Sequence, residues 1–269
     1  MKMSVVSKEY QELNKEIFAL QEGWKSMLAP EAVQVKIESN TIVTGIPLVS
    51  FMSFDLNIPL YLQWIEELQT LLVKNQEDLA GKMESVNEIM NEEIALRWFE
   101  EAISINQPYF AGFAAENGMD QWIPQFLAET ALRPYLQLAA EKAQPYISAK
   151  KAGSGCPVCG EPARFAQLEE EGKKVVHCPR CLAHWNEKRL TCSHCGNENH
   201  ETINFITIEG DATGQIQVCD ECHGYTKVID SRQFIAKQSP ALLDLNTLHL
   251  DFVAQENGYS PVGGKKLAN

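Results

Sequence analysis

CPVCGEPARFAQLEEEGKKVVHCPRC (residues 156–181) and CSHCGNENHETINFITIEGDATGQIQVCDEC (residues 192–222) decide how this chain is read. Each stretch begins and ends with a C-x-x-C pair, and together they hold all 8 cysteines of the 269-residue chain. A two-residue spacer lets the backbone fold tightly enough for both sulfurs of a pair to reach one ion at about 2.3 Å. Gly160 and Gly196 follow the second cysteine of their pairs, where such a turn often takes a positive φ. Two pairs complete a tetrahedron. Residues 160–177 and 196–218 are each long enough for one hairpin, so the spacing favours pairing the first knuckle with the second and the third with the fourth. One ion would then be held by Cys156, Cys159, Cys178 and Cys181, and the other by Cys192, Cys195, Cys219 and Cys222. An interleaved set is the alternative arrangement.

Softness and geometry allow either zinc or rubredoxin-type iron in an all-sulfur site, so the expected cofactor is two ions per chain of one or the other. The ribbons carry few large apolar residues, and a four-sulfur ion can take the place of the missing core. Disulfide exchange is the competing use of a C-x-x-C. It belongs to a single motif at a helix start in a βαβ setting, which this sequence lacks. His177, His184, His194 and His223 lie near the sulfurs, but eight cysteines already fill two tetrahedra, so supporting or surface roles are expected of them. His200 and His249 belong to no motif.

Outward from the knuckles, short apolar runs alternate with turns. Strands are expected at 164–168, 174–177, 202–208, 215–218 and 225–229, with hairpin connections at Glu170-Glu171-Gly172 and at 210–214. A last amphipathic helix is expected from about Pro240 to Glu256, with Leu242, Leu245, Leu248, Phe252 and Val253 on its apolar side.

The first half has a helical period. Tyr10, Leu13, Ile17, Leu20, Trp24 and Met27 recur at steps of three and four over residues 7–28. Residues 31–57 are broken by Gly45 and Pro47, with Pro59 just beyond, and read mostly as loop. Helical stripes resume from Ile58 to about Ile105, a short helix opens at Pro108, and another runs over 120–143, where Pro134 should kink or split it. The aromatic and methionine stripes are core packing. The expected fold is multidomain α+β: a helical domain over 1–147, a linker over 148–155, a first rubredoxin-like four-cysteine module over 156–190, and a second over 191–269 that ends in the C-terminal helix.

Net charge is −13, and it is uneven: residues 1–150 hold 21 acidic and 11 basic side chains. Loaded four-thiolate sites would each add about −2. Phosphate-backbone binding runs on Lys and Arg, so nucleic acid is not an expected partner. No apolar run approaches the roughly 20 residues of a membrane helix, so no stable membrane insertion is expected. The polar N-terminus lacks a secretory apolar region, and a cytoplasmic location follows as the default. No catalytic constellation stands out. The GSG at 153–155 lacks the rest of a phosphate loop, and a closed four-sulfur site leaves no coordination position for substrate, so an enzyme is not expected.

CPVCG (156–160), HCPRC (177–181), CSHCG (192–196) and above all DECHGYTK (220–227) resemble the formate dehydrogenase accessory protein FdhE family. ALRPYL (131–136) and DLNTLHLDFVAQENGY (244–259) resemble it too, whereas the tail SPVGGKKLAN departs from the family pattern. The resemblance implies a cytoplasmic maturation factor that binds the catalytic subunit of a molybdenum- or tungsten-dependent formate dehydrogenase. It also implies iron in rubredoxin-like sites. Two other classes stay open: a rubredoxin-type electron carrier and a zinc-ribbon nucleic-acid module. Glu221, His223 and Tyr225 cluster at the fourth knuckle and form the candidate partner-binding surface, the alternative for Tyr225 being a place under the ribbon. Oligomeric state is left open.

Overall fold

The computed structural model describes residues 6–36, 45–147, 155–234 and 238–264. The chain forms two compact units, one of Glu12–Gln34 with Met52–Leu138 and one of Met1–Gln11, Val35–Phe51 and Ala139–Asn269. The division falls inside a helix, not at 148–155, of which residues 148–154 lie outside those described.

The helices are α1 (Lys8–Met27), α2 (Ile58–Asn75), α3 (Ala80–Ile89), α4 (Glu92–Ile103), α5 (Gln107–Glu116) and α6 (Trp122–Ile147). Asn57, Asn91 and Asn106 cap α2, α4 and α5, each accepting a backbone N–H three residues on. The aromatic stripes do form core. Trp24 stacks on Trp64 at 5.4 Å, and Phe99 meets Tyr61 and Tyr135 edge-on at 5.5 and 5.1 Å. Residues 31–57 are less irregular than their prolines and glycines suggest, containing β1 (Val33–Val35) and β2 (Met52–Phe54).

Pro134 does not split α6, which runs unbroken from Trp122 to Ile147. A helical proline has no N–H to give the carbonyl four residues back, here that of Thr130. The side-chain amide of Gln21, itself buried, donates to that carbonyl at 3.2 Å and fills the gap. The donor lies 109 residues away, so the local sequence holds no sign of it.

The remaining strands are β3 (Phe165–Leu168), β4 (Lys174–His177), β5 (His184–Glu187), β6 (Ile203–Thr207), β7 (Gly214–Cys219) and β8 (Tyr225–Asp230). They make one six-stranded sheet in the order β5-β4-β3-β8-β7-β6. Each cysteine-rich stretch is thus a three-stranded antiparallel meander, and β3 joins β8 in parallel, Phe165 opposite Lys227 through Leu168 opposite Asp230. The two metal modules are halves of one sheet. The strand β5 carries polar residues with only Trp185 to mark it, so its apolar signal is too weak to read.

One face of the sheet packs Phe165, Ile216, Val218, Tyr225 and Ile229 against Leu243, Leu250 and Ala254. Those last three come from two helices, α7 (Pro240–Asn246) and α8 (Leu248–Glu256), where the periodicity predicts one. Ser239 caps α7, and the Thr247 hydroxyl ends it by donating to the carbonyls of Leu243 and Asp244 at 2.7 and 3.1 Å. The break has a consequence for packing. Asp244 and Asp251 would stand about 10.5 Å apart along one continuous helix. Here both carboxylates reach the same ammonium, Lys227 Nζ, at 2.7 and 2.6 Å.

Candidate metal centres

The four knuckles share one backbone pattern. In each, the N–H of the residue after the second cysteine donates to the carbonyl of the first: Gly160 to Cys156, Leu182 to Cys178, Gly196 to Cys192, and His223 to Cys219, at 2.8–3.1 Å. The first cysteine's own N–H donates one residue further on, to Glu161, Ala183, Asn197 and Gly224. This closure puts the residue after the second cysteine in the left-handed region, with φ of 79°, 62°, 73° and 52°. Glycine does this freely. Leu182 and His223 do it against a steric cost of roughly 1–2 kcal/mol each.

The knuckles meet in two groups of four sulfurs, Cys156, Cys159, Cys178 and Cys181 in one and Cys192, Cys195, Cys219 and Cys222 in the other. Within each group all sulfurs lie within 4.8 Å of one another. The closest approaches are 3.6 and 3.5 Å in the first and 3.6 and 3.8 Å in the second. A tetrahedron of sulfurs about 2.3 Å from its centre has edges of about 3.8 Å, so the spacing suits an ion in each group. All eight cysteines are free thiols. Burial raises the thiols of Cys178 and Cys181 well above their ordinary range, and takes Cys222 up to about 12. In each group one thiol goes the other way: hydrogen bonds outweigh burial and lower Cys159 and Cys219, so the sulfurs do not ionise together on their own, whereas a divalent ion takes all four as thiolates. Each group could therefore hold zinc or iron.

The two centres differ in cover. The first is wholly buried, and residues 47–49 lie across its knuckle: Leu48 and Val49 donate backbone N–H to Pro157 and Val158 at 2.9 and 3.0 Å. In the second, Cys195 is exposed. Its fourth knuckle is covered by the start of the tail, where Ser260 bridges Gly224 and the Gly264 N–H donates to Cys222 at 2.6 Å. Gly224 is required there, because a Cβ would stand 2.7 Å from the His194 ring and 3.2 Å from Cys222 Sγ.

Two buried cations, neither singled out by the sequence reading, tie the centres to the sheet. Lys174 Nζ, on the first meander, donates to the Thr191 carbonyl, Ser193 Oγ and Gln217 Oε1 at 2.9, 3.0 and 2.7 Å, and pairs with Glu187 at 3.1 Å. Since Ser193 lies inside the third knuckle, one ammonium joins the first meander to the second centre. Lys227 Nζ is fully buried between Asp244 and Asp251 and also donates to the Asp244 carbonyl at 2.8 Å. The signal for the second cluster was the acid spacing in DLNTLHLD; nothing local marks the first.

The histidines are not drawn into the sulfur groups. His194 Nε2 lies 2.7 Å from the Tyr225 carbonyl, His177 stacks on His184 at 5.9 Å, and His249 lies 3.6 Å from Asp211. Of the three candidate partner residues, Glu221 is exposed and His223 partly so, its ring 6.0 Å from that of Tyr259. Tyr225 has to be corrected. It is 1% exposed, packs in the core under α8, and donates its hydroxyl to Asp251 at 2.8 Å. A strand residue facing a covering helix has no free surface to offer a partner.

Residues 190–267 match the model of the FdhE C-terminal domain. That span contains the third and fourth knuckles, the DECHGYTK segment, and both acids that hold its lysine. Over that span the chain is similar to the FdhE family. An FdhE homolog of Aquifex aeolicus is 32% identical over 152 residues, covering 55% of this chain and 53% of the relative. One from Enterobacter sp. strain 638 is 25% identical over 203 residues, covering 73% of this chain and 62% of the relative. The chain thus spans between half and two thirds of the length of these curated relatives. The crystal structure of the FdhE protein from Pseudomonas aeruginosa shares the fold, with a TM-score of 0.60 at 18% identity over 91% of this chain and 84% of that one. The family span also accounts for why DECHGYTK and DLNTLHLD belong together: they are two sides of one buried ion-pair cluster, with Tyr225 and Lys227 on the strand and Asp244 and Asp251 on the helices.

Proposed function

We propose that this chain is an accessory factor that binds the catalytic subunit of a molybdenum- or tungsten-dependent formate dehydrogenase and supports its assembly or activation. The observation carrying this reading is the coincidence of the family match with the second four-cysteine centre and the ion-pair cluster that braces it. The eight cysteines would hold two ions, and a closed four-sulfur site leaves no position for substrate, so a non-enzymatic role suits the geometry. No helix among the described residues is long and apolar enough to cross a membrane. Glu221 and His223, on the rim of the fourth knuckle, remain the candidate contact with the subunit. A cytoplasmic setting agrees with thiols kept for metal, not disulfides.

The test is capture of formate dehydrogenase catalytic subunits by the metal-loaded chain, alongside Glu221→Ala and His223→Ala variants checked for full metal content. Binding by the parent and loss in the variants supports both the role and the surface. If the parent captures no such subunit, the accessory role fails. A rubredoxin-type carrier is the second reading, and the exposed Cys195 favours it, since an uncovered sulfur offers an electron a short way in. It requires a reversible one-electron iron couple, which voltammetry of iron-loaded protein would detect.

A further inference from the structure

Among the described residues, each hydrogen bond that the Lys174 ammonium makes beyond its own meander falls beside a ligand of the second centre. Thr191 precedes Cys192, Ser193 follows it, and Gln217 stands on β7 shortly before Cys219. Within the meander the ammonium pairs with Glu187 on β5, and the same carboxylate accepts the Ser193 hydroxyl at 2.6 Å. Gln217 closes the cluster from the far side, its Nε2 donating to the carbonyls of Arg189 and Thr191 at 3.1 and 3.3 Å. The side chains of Lys174 and Glu187 are 1% and 2% exposed, so water does not replace a lost partner in place.

The other end of β4 belongs to the first centre: the strand ends at His177, and its next residue is the ligand Cys178. A four-cysteine knuckle owes much of its order to its ion. When the second centre is empty, the third knuckle loosens and a buried ammonium loses acceptors, which costs more than a made hydrogen bond contributes. When the first centre is empty, β4 is released at its Cys178 end, Lys174 no longer serves Thr191, Ser193 and Gln217, and Glu187 is left without its cation. Each ion therefore orders groups on which the other centre depends. The second ion to arrive meets a cluster already in place and removes less conformational freedom. The sign of the effect is positive in both directions, because affinity changes between two sites are reciprocal.

We propose that Lys174 couples the two metal centres, so that an ion bound in either raises the affinity of the other. The coupling rests on both sulfur groups holding ions, and it is independent of which protein the chain serves. The parallel pairing of β3 with β8 also spans the two halves of the sheet, so Lys174 carries part of the coupling and the strand pairing the rest.

The experiment measures zinc binding by the reduced full chain in competition with a chelator of known strength. Cys192→Ser/Cys195→Ser leaves the first centre alone, and Cys178→Ser/Cys181→Ser leaves the second alone. The overall constant for two ions in the parent, divided by the product of the two single-centre constants, is the coupling factor. It should be about tenfold or more, within the usual span of coupled sites. The same three measurements in a Lys174→Met/Glu187→Gln background, which removes the cation together with its counter-charge, should give a factor lower by about threefold or more. The cysteine changes are common to both sets, so any general damage they do cancels. Ser193→Ala takes one hydroxyl from the cluster and no charge; it should lower the factor as well, and it decides the matter if the charge-removing variant folds poorly. A factor of one in the parent, or one that neither variant lowers, overturns the proposal while leaving the metal centres standing. A parent that takes up fewer than two zinc ions overturns the metal reading, and the coupling with it.

Discussion

Replacing Lys227 with methionine removes the cation that joins Asp244 to Asp251, leaves Asp244 only the more distant Arg164 Nε at 3.5 Å, and leaves the shape of the site nearly unchanged. Lys227 is fully buried, the two carboxylate side chains are each 11% exposed, and their distances to Nζ are 2.7 and 2.6 Å. Removing one partner of a buried pair leaves the other charge uncompensated, at about 3–5 kcal/mol. The Arg164–Asp244 pair that remains and the small exposure of the acids, which admits some water, both point to the lower end. At about 1.4 kcal/mol per tenfold, the loss is roughly two to three and a half orders of magnitude in local opening equilibrium. Amide exchange suits the measurement, because a chain of two units with metal centres need not unfold in one step. Protection at β7 and β8 should fall by that factor, and α1–α5 should be unaffected. The variant Lys227→Met/Asp244→Asn/Asp251→Asn, which removes the stranded charges, should regain most of the loss. If Lys227→Met lowers protection less than tenfold, or the triple variant is no better than the single one, the charge argument is wrong and Lys227 is merely a packed side chain.

Gly224→Ala places a Cβ 2.7 Å from the His194 ring; the variant should lose about one metal equivalent by elemental analysis, and adding His194→Ala should restore part of it. Leu182→Gly should stabilise the first meander by about 0.5–1 kcal/mol, the left-handed strain relieved less the added freedom of the unfolded glycine, read as an upward shift in the midpoint of chelator-induced unfolding. Leu182→Ala should do little, since it keeps the Cβ. Chelator challenge of the zinc-loaded chain should release metal in two phases, the faster from the centre with exposed Cys195. A Cys195→Ser variant should abolish the fast phase and leave the slow one unchanged.

The sequence by itself determined the chemistry and the local elements. Eight cysteines in four C-x-x-C pairs at hairpin spacing specify two four-sulfur groups, because the spacer length and the intervening hairpin length leave little freedom in how the sulfurs can meet. Periodicity located α1, the stripes of α2–α5, and the strands β3, β4, β6, β7 and β8, but not β1, β2 or β5. What the sequence left open was decided by contacts between residues far apart in the chain. Gln21 keeps α6 whole at Pro134 by serving Thr130 from 109 residues away. The parallel pairing of β3 with β8 turns two modules into one sheet, an alignment that no local pattern encodes. Lys227 draws Asp244 and Asp251 together, which a single helix could not allow, and so α7 ends at Thr247. Tyr225 reads as an exposed anchor only while its strand is considered alone; α8 buries it. Short-range geometry is written in neighbouring residues, but the partner of a buried polar group is chosen by the packing of the whole unit.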